Sequence, residues 1–119
     1  MDATSETVKG EPFNLAENVS YAMGAVVSKT LMKKATGTVT LFSFDAGQGL
    51  SEHMAPFDAM VYVLDGKAVI SIGGKPHEVG SGEVIIMPAN ITHALQAVEQ
   101  FKMLLIMIRS QLKRPQKPG

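Results

Sequence analysis

Short apolar runs separated by glycine, proline and asparagine make up most of this chain. Residues 60–64 are apolar and run into Asp65-Gly66, a pair that favours a two-residue hairpin turn. Residues 67–72 lead to Gly73-Gly74, residues 75–79 to Gly80-Ser81-Gly82, and residues 83–87 to Pro88-Ala89-Asn90. Residues 92–98 and 101–109 complete the series. Upstream, residues 25–32 and 38–44 are rich in β-branched and aromatic side chains, with residues 33–37 as a hairpin loop between them. Residues 13–21 have mixed periodicity and fit either a strand or a helical turn; the reading adopted is irregular structure joining a short strand. No long segment carries a helical period. Many short strands at even spacing predict an all-β sandwich or barrel.

Pattern also sets the boundaries. Residues 1–12 are polar and read as a flexible N-terminal arm, 13–110 as a single barrel domain, and 111–119 as a flexible basic tail. A chain of 119 residues, 45% hydrophobic, suits one domain with one core.

Charge and cysteine content narrow the chemistry. There are 11 basic and 11 acidic residues, so the basic excess of a nucleic-acid binder is missing, and no nucleic-acid partner is expected. The absence of cysteine excludes disulfides, thiolate metal sites and cysteine nucleophiles. The polar start lacks a secretory pattern, and the apolar runs fall short of the ~20 residues of a membrane helix. A cytoplasmic protein without a membrane partner is the expectation.

Two motifs add a family. Gly47, His53, Ala55, Ala59 and Gly66 keep the spacing of the first cupin motif: glycine, five residues, His-x-His, three or four residues, glutamate, six residues, glycine. Gly82, Pro88, Asn90, His93 and Ala97 keep the spacing of the second, with Asn90 in place of its glycine and Ala97 in place of its asparagine. The chain therefore resembles the small single-domain bacterial cupins of the conserved-barrel type. That resemblance implies a double-stranded β-helix, or jelly-roll, cupin barrel.

Cupins aim three imidazoles and one carboxylate at a metal, a set that suits several transition ions. By resemblance His53 and His93 are metal ligands, while Ala55 and Ala59 stand where the third imidazole and the carboxylate are usual. A weakly held divalent transition metal is the implied cofactor. Strand alternation turns Ala55, Ala59, Val61 and Leu95 to the same interior as the two histidines, giving a small, mostly apolar pocket. His77, Lys33-Lys34 and Lys113-Arg114 read as exposed polar positions, and the 8 methionines as core or dimer packing.

The expected function is binding of an unidentified small molecule in the barrel beside a degenerate two-histidine metal site. The alternative is a metal-dependent enzyme of oxygenase or isomerase type using His53 and His93. No nucleophile arrangement or phosphate-cradling glycine loop stands out. A homodimer is expected, with Val26, Val27 and Leu31 pairing across subunits.

Overall fold

The computed structural model describes residues 9–109. A single 3-10 turn, Ala16–Asn18, precedes eight strands: β1 (Val26–Lys34), β2 (Gly37–Phe44), β3 (Gly49–His53), β4 (Phe57–Ile72), β5 (Lys75–Gly80), β6 (Val84–Met87), β7 (His93–Gln96) and β8 (Phe101–Arg109). All pairings are antiparallel. One sheet runs β1-β2-β8-β4-β6, the other β5-β4-β7-β3, and β4 belongs to both. The two curl around one apolar interior, so the all-β jelly-roll expectation holds. Most of the expected arm, residues 1–8, and the expected tail, residues 111–119, lie outside the described residues.

The hairpin expected at Asp65-Gly66 does not form. β4 runs through both residues, and they remain paired with Lys102 and Phe101 of β8. The register slips between Val63 and Asp65, and Gly66 takes a φ of 75°. The pair is a bulged corner, at which one strand leaves the first sheet and enters the second. Burial records the slip. Ala59, Val61 and Val63 face inward at odd positions, and Ala68 and Ile70 at even ones. An extra residue in the corner is what restores the inward face beyond it.

Those inward residues meet Phe44, Phe101, Met103, Val79, Leu95, Ala97 and Met87 in one cluster. The rings of Phe44 and Phe101 stack with centroids 4.4 Å apart. Residues 15–21 hold the 3-10 turn and otherwise irregular chain, with no strand, and lie along the outer side of the first sheet. Ser43 Oγ donates to the Ser20 carbonyl (2.7 Å), Lys102 Nζ to that of Ala16 (2.6 Å), and Tyr21 to the Asp65 carboxylate (2.5 Å). Burial of the Tyr21 phenol, together with Asp65 beside it, pushes its pKa upward. Leu41, on this outer side, is thereby closed off from solvent.

Candidate two-histidine site at the barrel mouth

His53 ends β3, His93 begins β7, and the two are cross-strand partners. The sequence folds this way because a turn delivers each one. Before His93, Asn90 adopts a left-handed φ of 64°, the conformation that asparagine tolerates better than most residues. Its N–H donates to the Ala55 carbonyl at 2.8 Å, which ties the β6–β7 turn to the β3–β4 connection. Gly47 and Ala97 close the other end, with Gly47 N–H donating to the Ala97 carbonyl at 2.7 Å.

The imidazoles meet edge to face with centroids 4.3 Å apart and Nε2 atoms 3.1 Å apart. Each Nδ1 faces a backbone carbonyl two residues earlier, Ser51 at 2.8 Å from His53 and Ile91 at 3.3 Å from His93. A carbonyl oxygen only accepts, so these contacts assign the proton of each ring to Nδ1. Both Nε2 atoms then carry a lone pair at a separation of 3.1 Å, which is repulsive, and a cation shared by them, proton or metal, converts that repulsion into attraction.

The surroundings disfavour a second proton on His93. Its ring is buried, and desolvation, with His53 beside it as the second cause, lowers its pKa below the usual histidine value; the Ile91 carbonyl opposes this. His53 is exposed, so the pair reaches from the interior to solvent.

Do these residues fit a divalent ion? Two nitrogens about 2.0–2.1 Å from one ion and roughly at right angles stand near the observed separation. Metal-bound histidines also characteristically donate their other ring N–H to a carbonyl or carboxylate, as both do here. The pair therefore fits as two neighbouring donors. Ala55 and Ala59 add none, and among the described residues no group of three or more His, Cys, Asp or Glu side chains is placed to hold an ion.

The other residues of the predicted pocket divide. Ala59, Val61 and Leu95 are buried in the core cluster, as alternation implied. Ala55 is not on a strand: β3 stops at His53, and Ala55 lies half-buried in the connection to β4. The strand-parity argument that placed it beside His53 thus does not apply, although its hydrogen bond to Asn90 keeps it next to the turn that carries His93. His77, expected to be exposed, is half-buried on β5 opposite Ile70. Sequence reasoning missed the anchoring carbonyls of Ser51 and Ile91, because backbone acceptors leave no trace in residue type.

A sequence model described as the cupin domain matches residues 40–109. A conserved protein of unknown function from Streptococcus pyogenes is similar in structure, with a TM-score of 0.86 and 36% identity over 94% of this chain and 98% of that one. A cupin 2 conserved barrel domain protein from Leptotrichia buccalis is 48% identical over 81% of this chain and 47% of its own, with a TM-score of 0.79. An uncharacterized protein from Streptomyces coelicolor is 26% identical over 69 residues, 58% of this chain, and the match spans 66% of that relative's length. Both cupin motifs, the two-sheet barrel and the family match lead to one conclusion: the chain belongs to the cupin family.

Proposed function

We propose that this cupin binds a small molecule at its barrel mouth through a divalent transition ion held by His53 and His93, and that it does so as a homodimer. The observation that carries the reading is the pair of Nε2 atoms facing each other at 3.1 Å while both Nδ1 atoms rest on carbonyls. When bound, such an ion supplies a Lewis-acidic centre with positions left for solvent or an oxygen donor of the ligand. The residues themselves present two lone pairs, one from a buried ring and one from an exposed ring. Ala55 and Ala59 withhold the third imidazole and the carboxylate of the family pattern, which favours reversible binding over an oxygenase or isomerase reaction.

Calorimetric titration of NiCl2 or MnCl2 into the metal-stripped protein tests this. Wild type takes up one ion per chain, weakly enough to lose it on dialysis, and His93→Ala abolishes the uptake. Affinity falls toward acid pH, because each imidazole must be neutral to coordinate. No saturable uptake by wild type, or uptake indifferent to His93→Ala, overturns the reading.

A further inference from the structure

The end of the barrel beside the β1–β2 turn concentrates positive charge around a cavity. Lys33 is opposite Thr38, and Thr38 is opposite Met107. Cross-strand partners share a face, and Met107 packs on the core, so this row faces inward. Arg109, two residues beyond Met107 and opposite Phe57, continues the same face. Lys33, Lys34, Thr38, Phe57, Met107 and Arg109 line a cavity of about 170 Å³ that opens to solvent.

No acidic residue lines it, and among the described residues none of its three cations is in an ion pair. Arg109 is held in place: its Nε donates to the Ala35 carbonyl at 2.8 Å, and its guanidinium carbon lies 5.5 Å from the centre of the Phe57 ring. The rest of its donor fork has no protein acceptor among the described residues. Thr38 Oγ1 is enclosed and has no hydrogen-bond partner among the described residues. Positive charge and an apolar wall of Phe57 and Met107 thus border one space.

We propose that this cavity binds a small organic anion, a carboxylate on a short apolar or aromatic body. The carboxylate meets the guanidinium fork of Arg109, which matches two oxygens at once, with Lys33 and Lys34 adding charge. The body lies against Phe57 and Met107. The volume is below the ~300–1,000 Å³ of drug-sized pockets, which restricts the ligand to a small one. Neither histidine lines the cavity, so its occupancy does not depend on an ion at His53 and His93.

Sodium benzoate, benzyl alcohol and inorganic phosphate are the probes, titrated into the full chain and followed by amide chemical shifts. Benzoate is expected to saturate in the millimolar range with shifts centred on residues 33–38, 57 and 107–109. Benzyl alcohol, its uncharged counterpart, and phosphate, an anion without an apolar body, are each expected to bind at least about tenfold more weakly. The double variant K33Q/R109Q loses benzoate binding by about tenfold or more, whereas His53→Ala leaves it unchanged. Thr38→Val, which keeps the side-chain shape and removes the enclosed hydroxyl, is expected to stabilise the ligand-free protein. Absence of benzoate binding, equal binding of benzyl alcohol or phosphate, or benzoate binding indifferent to K33Q/R109Q overturns the proposal.

Discussion

The backbone oxygen of Gln100 occupies the space that a Cβ on Gly66 would need. Gly66 also has a φ of 75°, which side chains with a Cβ rarely adopt. Gly66→Ala therefore adds a clash to backbone strain at the corner where β4 changes sheets. A loss of about 2–5 kcal/mol is expected in denaturant unfolding. Gly47 makes the control. Its φ is 88° but nothing lies within 4 Å of its would-be Cβ, so Gly47→Ala should cost only the strain of about 1–2 kcal/mol. Equal costs at the two positions would mean that the Gln100 contact has no energetic weight.

Gly66 also shows where the sequence stops being legible. Asp-Gly serves a hairpin turn and a bulged corner equally well, because both need a left-handed residue. Only the approach of Gln100, from the β7–β8 connection far along the chain, tells them apart. The outer spacing of the two motifs was enough for the barrel, since Gly47, His53, Pro88 and His93 fix loops and register that few other folds combine. The burial of Ala59, Val61 and Leu95 was legible because alternation holds inside strands. Ala55 was not, because it lies past a strand end that residue type does not mark. The cationic cavity was hidden for another reason: Lys33 and Arg109 meet only through the β1–β2–β8 pairing, and each looks like ordinary surface charge alone.

Restoring the missing donors separates the two alanines. Ala55 is half-buried in a connection, so Ala55→His has room, and the hydrogen bond to Asn90 keeps it by the His93 turn. Its nickel affinity should exceed wild type by about tenfold or more, the equivalent of ~1.4 kcal/mol. Ala59 is different. It sits in the core with Met87 and Met107 as cross-strand partners, so Ala59→Glu overpacks the interior and buries a carboxylate. That variant should lose about 1–3 kcal/mol of stability without metal, and recover part of it when nickel is added. An Ala55→His variant that folds but binds nickel no better than wild type would place residue 55 away from the pair.

Asp45 predicts an acid limb to stability. Its carboxylate accepts from the Gly24 N–H at 2.6 Å and from Gln100 Nε2 at 3.0 Å, joining three loops. These bonds, the Gly24 one first, hold its pKa below the ordinary 3.8. The folded form thus prefers the ionised carboxylate. The resulting stability is fully present above the ordinary value and disappears as pH falls through the lower, folded one. Asp45→Asn should flatten melting temperature against pH in the range below about 4, relative to wild type. Parallel curves for the two proteins would assign the acid limb to other carboxylates.

The outer face of the first sheet predicts the mode of assembly. Met60, Tyr62, Val84, Ile86, Leu104 and Ile106 line up across β4, β6 and β8 on the side away from the core. Ile86 and Ile108 are 59% and 60% exposed, and residues 15–21 cover only the part nearer Leu41 and Ser43. A hollow of about 380 Å³ bordered by Met60, Ile86, Ile106 and Ile108, together with the charged Asp58 and Arg109, indents this face. An apolar face of this kind on a small barrel marks an interaction site. A two-fold interface sets the same surface of each chain against its copy, so one such face serves both subunits. The proposed homodimer is therefore expected to use this face, while Val26 of β1 packs on the core of its own chain. Light scattering should give twice the chain mass at micromolar concentration. Ile86→Glu, which places a charge at the centre of the interface and leaves the core alone, should give the monomer mass with an unchanged circular dichroism spectrum. A wild type that is monomeric at that concentration, or an Ile86→Glu variant that stays dimeric, sinks this interface.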